Sequence, residues 1–398
     1  MAPGRVRLDR MCDTSRGVDH AGPPACRSPL TMGVLTMMST MSPSKLESGR
    51  SITDGPPTRP KGHYALIDLF AGSGAFTLGL RQAGVSGRAL LVDHASDCVA
   101  TCEINHPDAD VVRGDVGDID WSGATADVVV GGPPCQGFST LGRRDDSDPR
   151  NLLYQGLVQC VQRTKPDVVL VENVARFLDV QQGVDLIESL TSLGYHVRAG
   201  VLDAVAFGTP QKRKRALVAA ARPGVAIPWP VETHGPGLKP LRTVADAFAM
   251  LPRMPDGKNW HVSAELSSEY VERARAIPAG GSRIDLPDDL TLECWRNARG
   301  HSDVMGRLRW SKPANTLRTE FHRPEKGRFL HPSEDRSISI REGARLQSFP
   351  DSYHFPEDLA FYTIARQVGN AIPVTLARAL GRAVITSMNG RMPYAASV

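Results

Sequence analysis

The sequence predicts an α/β fold, with a mostly parallel, Rossmann-like sheet and a smaller, loop-rich second domain. Short apolar runs rich in Val, Leu and Ile alternate with segments of helical periodicity from residue 64 to residue 221. Continuous apolar strands indicate a sheet covered on both faces, and the alternation with helices indicates parallel strands. Ligands of such sheets bind beyond the carboxyl ends of the strands, so polar residues that follow a strand are candidate site residues.

The strands and helices of the first domain are predicted in order along the chain. Apolar runs that predict buried strands are YALIDLF, which begins at Tyr64, then RALLVD, DVVVGG and DVVLVENV. Helices are predicted for AFTLGLRQAG, which Gly84 ends, and for SDCVATCEINH, LLYQGLVQCVQRT and DLIESLTSLG. The last two runs, YHVRAGVLDA and RALVAAA, predict a hairpin-like pair of strands that closes the sheet.

Composition divides the chain into four segments. Residues 1–60 are rich in Pro, Ser, Gly and Met without an apolar period, and predict a disordered extension. Residues 61–228 carry the strand and helix pattern of the first domain. Residues 229–358 begin with a long stretch of Pro, Gly, Arg and Asp and predict the loop-rich second domain. Residues 359–398 predict a helix, with Pro373 in its first turn, that returns to the first domain.

Composition and charge limit the classes of protein that fit this sequence. The net charge of +4 permits a nucleic-acid partner without requiring one. No apolar run reaches the roughly 18 residues of a membrane span, and no secretory signal is evident, so we expect a cytoplasmic protein without a membrane partner. The seven cysteines are odd in number, scattered and without a CxxC pair, so we expect neither a disulfide framework nor a metal site.

The first candidate site motif is DLFAGSGAF, which begins at Asp68. A predicted strand ends there, glycines permit a tight turn, and a helix begins whose free N–H groups face an incoming ligand. Such turns occur in many nucleotide-binding folds and sometimes serve only packing. Asp93 ends the next strand, where an acid can bind ribose hydroxyls, and Asp115 ends the third. Three polar strand ends at one edge favour a cofactor site.

The second motif is GGPPCQGFS, which contains Cys135. A cysteine is most often a small, buried packing residue. Cys135, however, follows two prolines that stiffen a loop just past a buried strand, which favours a nucleophile.

Charged residues mark two further strand ends. Glu172, in ENV, ends an apolar strand, where a carboxyl group is costly unless it is satisfied. It is either a salt-bridged rim residue or an acid of raised pKa that donates a proton. Arg213 and Arg215, in FGTPQKRKR, form either a solvated basic turn or an anion site on one side of an extended segment.

In their order, these motifs resemble those of the cytosine-5 DNA methyltransferase family. The resemblance runs from about Tyr64 to the C-terminus, without most of residues 229–300. Its motifs are DLFAGSG, PPCQGFS, ENV, QKRKR, RLRWSKPANTLRT, REGARLQSFPD and QVGNAIP. It implies the fold of S-adenosylmethionine-dependent methyltransferases, and methyl transfer to carbon 5 of cytosine in a specific sequence of double-stranded DNA.

The resemblance also implies a set of residues that bind S-adenosylmethionine. They are Phe70, Gly72, Gly74, Asp93, Asp115, Pro133 and Asn370. Asp93 would bind the ribose hydroxyls and Asp115 the adenine amino group. Asp93 stands where the family more often has Glu, and Ala75 stands where a second glycine is common. Both departures bear on cofactor affinity and not on the class of reaction.

The catalytic residues implied by the resemblance are Cys135, Glu172, Arg213 and Arg215. Cys135 would add to carbon 6 of a cytosine flipped out of the duplex, and Glu172 would donate to ring nitrogen 3. The two arginines would hold the cytosine and a neighbouring phosphate. Cysteine suits this role because it is both a strong nucleophile and a good leaving group.

Two segments are predicted to contact DNA. The polar stretch after Cys135 predicts a mobile loop that closes over DNA, with Arg143 and Arg144 facing phosphates, although a plain surface loop fits the same residues. Residues from 229 to about 320 are predicted to recognise the target. Candidate contacts there, each expected to bind phosphate or to serve structure rather than to read a base, are His301, Arg307, Arg309 and Arg318.

Other activities also fit parts of the sequence. The tRNA-methylating branch shares the catalytic motifs, but the long predicted recognition segment favours DNA and a CFT tripeptide is missing. A catalytically silent DNA-binding regulator does not require PPCQGFS and ENV, and a nicotinamide oxidoreductase gives no reason for PPCQGFS. We expect a bacterial protein that acts near the nucleoid, binds DNA as a monomer and serves a restriction-modification system. A cognate endonuclease encoded nearby would be its functional partner, although a solitary methyltransferase is equally allowed.

Overall fold

The computed structural model describes residues 62–134, 153–296 and 302–390. In these ranges seven strands form one sheet in the order β3-β2-β1-β4-β5-β7-β6. The strands are β1 (Leu66–Leu69), β2 (Ala89–Asp93), β3 (Ala109–Arg113), β4 (Val128–Gly131), β5 (Val168–Val174), β6 (His196–Asp203) and β7 (Lys214–Ala221). The predicted class is confirmed, because β1 to β5 are parallel and only the pair β6 and β7 introduces antiparallel neighbours.

Ten α-helices accompany the sheet in the part of the chain that the structure describes. Four belong to the alternating pattern: α1 (Ala75–Ala83), α2 (Ser96–Asn105), α3 (Leu153–Thr164) and α4 (Gln181–Ser192). Four short ones follow the sheet: α5 (Val244–Phe248), α6 (Ser268–Ala276), α7 (Glu293–Arg296) and α8 (Ile340–Leu346). The last two are α9 (Phe361–Asn370) and α10 (Val374–Asn389).

The sheet is covered on both faces, as its continuous apolar strands predict. Alternate residues of β1 point to opposite faces, so Leu66 joins one buried cluster and Ile67 the other. The first cluster includes Leu80 of α1 and Leu380 of α10, and the second includes Leu157 of α3. The sheet is therefore the middle layer of a three-layer arrangement.

The end of the chain differs in detail from its prediction. The predicted single helix is two helices, and Pro373 lies just before α10 as its N-cap rather than in its first turn. Ala371 ends α9 with an extended backbone, at a ψ of 144°. Proline disfavours helical geometry at the residue before it, here Ile372, so Pro373 favours a break between the two helices.

The region after β7 is held partly by the main core and partly by a small cluster of its own. Leu317 and Phe321 belong to the first cluster, whereas Ala274, Met305 and Leu330 form a third. The domain boundaries at residues 229 and 358 stay predictions, and the predicted extension of residues 1–60 lies outside the described residues. No helix in the described ranges is both long enough and apolar enough to cross a membrane.

Candidate active site

The carboxyl ends of four parallel strands meet at one edge of the sheet. The register pairs Leu69 of β1 with Val92 of β2 and with Gly131 of β4, and Gly131 in turn with Val171 of β5. The chain leaves β1 and β4 toward opposite halves of the sheet, which creates the crevice where ligands of such sheets bind. The candidate residues at or within two residues of these strand ends are Phe70, Asp93, Pro133 and Glu172.

The turn after β1 has the backbone shape of a ligand cradle. Phe70, Gly72 and Gly74 all have positive φ values, of 57°, 55° and 69°. The Gly72 N–H donates to Asp93 Oδ2 at 2.8 Å, and the Ala95 N–H donates to Asp93 Oδ1 at 2.9 Å. Asp93 therefore positions the turn in addition to the ribose contact predicted for it.

The two glycines of this turn serve different purposes. A Cβ atom on Gly72 would meet only the Phe70 carbonyl oxygen, at 3.9 Å, so space beside Gly72 is open to a ligand. A Cβ atom on Gly74 would lie 2.5 Å from His106 Nε2. The structure thus explains Gly74 by its close packing against α2, whereas Gly72 fits the predicted cradle.

Asp115 and Asn370 are exposed, and neither is enclosed by other side chains. Asp115 Oδ1 accepts a hydrogen bond from the Gly117 N–H at 2.9 Å, and Asn370 is the last residue of α9. Pro133 is buried, and its carbonyl oxygen accepts from Asn173 Nδ2 at 2.8 Å. The open space beside Gly72 and the N-terminus of α1, whose first N–H groups have no partner within the helix itself, fit a donor with amino-acid and nucleoside parts.

Asp68 is a buried acid in the same motif, and the sequence offered no role for it. Its Oδ2 atom accepts from the Thr77 hydroxyl at 2.7 Å and from the Thr77 N–H at 3.2 Å. Burial raises the pKa of Asp68 to about 7, and the nearby Asp93 charge adds to the rise. Asp68 thus joins the end of β1 to the first turns of α1.

Glu172 lies beneath the loop that leads to Cys135. Its side chain is buried near the end of β5 and forms an ion pair with Arg215 Nε at 2.9 Å. A Cβ atom on Gly132 would lie 3.7 Å from Glu172 Oε2, so the carboxyl group faces this loop. Burial raises the pKa of Glu172, and the charges of Arg215 and Arg213 oppose the rise. Glu172 is therefore a buried, salt-bridged acid whose pKa is raised, and its role as a proton donor stays a prediction.

Arg213 is a structural residue in this geometry. It is 1% exposed, and its guanidinium donates to the carbonyl oxygens of Leu317 and Gly369, each at 2.7 Å. These bonds tie the start of β7 to two motifs that are far apart in the chain. The predicted phosphate contact of Arg213 is not supported, because its donors point into the protein; Arg215 is the arginine beside Glu172.

Two glutamines that the sequence analysis passed over complete this junction. Gln211 Nε2 donates to Gln347 Oε1 at 3.0 Å, and Gln211 Oε1 accepts from the Leu317 N–H at 2.7 Å. Gln347 Nε2 donates to the Val368 carbonyl oxygen at 2.8 Å. Gln211 is the first residue of the motif QKRKR, and Gln347 lies in REGARLQSFPD. Nothing in the sequence itself marks the two as partners.

The residues predicted to contact DNA differ in their burial and bonding. Arg307 is 4% exposed and donates to five oxygen atoms, among them the carbonyls of Ile277 and His331, so it holds the small third cluster together. Arg318 is half-buried and donates to the Lys326 carbonyl, whereas Arg309 is exposed. Four other predicted contact or catalytic residues lie outside the described residues: Cys135, Arg143, Arg144 and His301.

Comparisons with known proteins agree with this arrangement. Residues 64–386 match the family model described as C-5 cytosine-specific DNA methylase. The Type II methylase M.HgiDII of Herpetosiphon aurantiacus is 33% identical over 345 residues, which cover 82% of this chain and 96% of that relative. The Type II methyltransferase M1.HphI of Haemophilus parahaemolyticus is 33% identical over 339 residues, 80% of this chain and 86% of the relative.

A solved structure shows the same fold. A DNA modification methyltransferase encoded within a prophage of E. coli superposes with a TM-score of 0.62 at 22% identity, over 82% of this chain and 99% of that chain. Because the family match spans most of the chain and the two relatives align along most of their length, this chain belongs to the C-5 cytosine-specific DNA methylases.

Proposed function

We propose that this enzyme transfers a methyl group from S-adenosylmethionine to carbon 5 of a flipped cytosine in a specific duplex DNA sequence, with Cys135 as nucleophile. The observation that carries the proposal is the position of Glu172. A buried carboxyl group of raised pKa lies against Gly132, three residues before the predicted nucleophile.

The chemistry requires a thiol and a proton donor close together. Addition of the Cys135 thiolate to carbon 6 turns carbon 5 of the ring into an enamine-like nucleophile. Glu172, when protonated, donates to ring nitrogen 3 and stabilises the adduct. Once carbon 5 carries the methyl group, a base removes its proton, the bond between carbon 6 and sulfur breaks, and the cysteine is released with the aromatic ring restored. Bound S-adenosylmethionine supplies the electrophilic methyl group.

The chain's own residues provide the donor's surroundings in this proposal. Gly72 leaves room for the donor, Asp93 takes the ribose hydroxyls, and Asp115 and Asn370 flank the adenine. Phe70 and Pro133 contribute contacts from the ends of β1 and β4. Gly74 acts indirectly, since its lack of a side chain lets the turn pack on His106.

The test is covalent trapping. The protein is incubated with S-adenosylmethionine and duplexes that carry 5-fluorocytosine in place of cytosine. The fluorine cannot be removed as a proton is, so a covalent complex of protein and DNA should accumulate and withstand denaturation. Cys135→Ser serves as the control and should form none. Failure of the unchanged protein to form this complex on genomic-length substituted DNA would overturn the proposal.

The setting of the activity is also proposed. The curated relatives M.HgiDII and M1.HphI are named Type II methylases, which supports a modification role beside a cognate endonuclease. A DNA substrate rather than tRNA is favoured because the matching family model is described as a DNA methylase and the two curated relatives are named Type II methylases. Binding to DNA as a monomer and a cytoplasmic location near the nucleoid stay predictions. Bisulfite sequencing of DNA from expressing cells would give the target sequence.

A further inference from the structure

Tyr353 contacts the turn after β1, residues 70–74, although it lies far away in the sequence. We call this turn the cofactor turn. It lies between α8 and α9, is buried, and donates its hydroxyl hydrogen to the carbonyl oxygen of Ser73. Burial raises the pKa of the Tyr353 phenol well above its usual range, so the hydroxyl keeps its hydrogen and acts as a donor. No motif analysis of the sequence pointed to this contact.

The hydrogen bond from Tyr353 completes a set that holds the back of the turn. The Gly72 carbonyl oxygen lies 3.4 Å from Cys102 Sγ, and the Gly74 carbonyl oxygen lies 3.2 Å from His106 Nε2. The Tyr353 hydroxyl donates to the Ser73 carbonyl oxygen, which lies between these two in the sequence. Three successive carbonyl groups, those of residues 72–74, therefore face protein side chains.

This arrangement fixes the orientation of the turn's peptide groups. The Gly74 N–H donates to the Ala71 carbonyl oxygen at 2.8 Å, so the Ser73–Gly74 peptide is held at both its N–H and its C=O. In a trans peptide these two groups point in opposite directions, so fixing both fixes the plane. Without the Tyr353 hydroxyl, the buried Ser73 carbonyl would lose this partner, and an unsatisfied buried carbonyl is costly.

Tyr353 is itself firmly placed. Its carbonyl oxygen accepts from Arg341 at 3.0 Å, and Arg341 Nε donates to the Asn259 carbonyl oxygen at 2.8 Å. The centroid of its ring lies 4.9 Å from the ring centroid of Phe349 and 6.2 Å from that of His106. The turn is thus connected through Tyr353 to residues of the predicted recognition region.

We infer that Tyr353 is a positioning residue for the methyl donor: its hydroxyl holds the turn of residues 70–74 in the conformation that binds the donor. The inference rests on the proposed function for the identity of the donor. It assigns no contact between Tyr353 and the donor, since the phenol acts through Ser73.

The chain contains a matched control for this hydroxyl. Tyr195 is also buried and also donates to a main-chain carbonyl oxygen, that of Pro166, at 2.7 Å. It belongs to the second buried cluster, whereas Tyr353 belongs to the first. Tyr353→Phe and Tyr195→Phe therefore remove the same group from the same kind of bond, but only the first touches the turn.

The experiment measures binding of S-adenosylhomocysteine by calorimetry to the full-length protein and both variants. Loss of one hydrogen bond that preorganises the site should raise the dissociation constant of Tyr353→Phe about tenfold. Tyr195→Phe should stay within about twofold of the unchanged protein. In methylation assays, Tyr353→Phe should raise KM for the donor and leave kcat within about twofold. Equal affinities for the two variants would overturn the inference.

A second measurement needs no ligand. Hydrogen–deuterium exchange of a peptide that covers residues 70–80 should be faster in Tyr353→Phe than in the unchanged protein, and unaltered in Tyr195→Phe. Unaltered exchange in both variants would count against Tyr353 even if the donor were misassigned. An unchanged protein that binds no S-adenosylhomocysteine would contradict the proposed donor instead, and exchange would still decide the role of Tyr353.

Discussion

Glu172 shows how two opposing effects set the acidity of one residue. Its burial raises the pKa of the carboxyl group, whereas the ion pair with Arg215 at 2.9 Å lowers it, with a smaller effect of Arg213. A proton donor must hold its proton at the working pH, so activity should fall as the pH rises through the pKa of Glu172. The pH at which activity falls therefore measures the balance between burial and the ion pair with Arg215.

Arg215→Ala should move the high-pH limb of the activity profile toward higher pH. Removing the cation removes the largest effect that favours the charged carboxylate, so the pKa of Glu172 rises further. Arg215→Lys keeps the charge and should shift the limb less. The measurement is kcat against pH at saturating DNA and donor, with Glu172→Gln as the variant that lacks this limb. A shift toward lower pH in Arg215→Ala would contradict the account.

Asp68 should make the protein less stable as the pH rises. Its carboxyl group has a pKa near 3.8 when unfolded and about 7 when folded. Between these values the folded state holds a proton that the unfolded state has released, so the free energy of unfolding declines as pH rises from about 4 to about 7 and is level above. Urea unfolding of Asp68→Asn, which cannot ionise there, should show a smaller decline. The same decline in both proteins would argue that Asp68 is not its source.

At the scale of elements, α1 and α10 pack against each other through glycines. A Cβ atom on Gly79 would lie 2.3 Å from the Cβ atom of Ala377, and one on Gly381 would lie 2.7 Å from that of Ala83. Both distances are too short for real contacts, so the close approach of the two helices depends on the absence of these side chains. Since α1 begins at the cofactor turn, this packing also helps to position the site.

Gly79→Ala should therefore destabilise the protein, although alanine is the better helix former. Overpacking of a buried contact typically costs about 1–3 kcal/mol, which exceeds the gain of up to about 1 kcal/mol in helix propensity. Adding Ala377→Gly should restore only part of the loss, because the Arg378 nitrogen also lies 2.7 Å from the added atom. Thermal unfolding of the three proteins would decide, and a Gly79→Ala protein more stable than the original would exclude the close packing.

The sequence predicts elements well where burial is purely apolar. Val128–Val130 and Val168–Leu170 are wholly buried, and their apolar runs predicted β4 and β5. By contrast, α8 buries Arg341 and Glu342, which bond to Asn259 and to Arg336 respectively. Buried charges interrupt the apolar period that identifies a helix, and the partner of Arg341 lies 82 residues away in the sequence.

Sequence distance also explains which residues of the site could be predicted and which could not. Strand ends placed Glu172 and Asp93 at one edge, since parallel topology follows from local pattern. The inward-facing donors of Arg213 and the hydroxyl of Tyr353 could not be foreseen, because their acceptors lie 104 and 280 residues away. Side chains that join distant motifs become visible only once the chain is folded.

For the molecule as a whole, the first buried cluster joins the start of the described chain to its end. It extends from Tyr64 and Leu66 through Phe321 and Phe349 to Met388. The residues around the cofactor turn are thus stabilised by helices that lie far downstream of them in the sequence. Folding of the catalytic sheet and of the C-terminal segment should be a single cooperative event.

A chain that ends at residue 358 should therefore fail to form a stable native state. It lacks α9 and α10, whose Ile364, Leu376 and Leu380 are fully or almost fully buried in the first cluster, and it leaves the apolar face of α1 uncovered. Deleting several such side chains at roughly 2–5 kcal/mol each exceeds the usual stability of a folded domain. The matched control ends at Gly390, keeps both helices and should melt as the full chain does. Near-ultraviolet circular dichroism and thermal unfolding would report the difference, and a cooperative transition in the 358-residue chain would show that the sheet folds without its C-terminal helices.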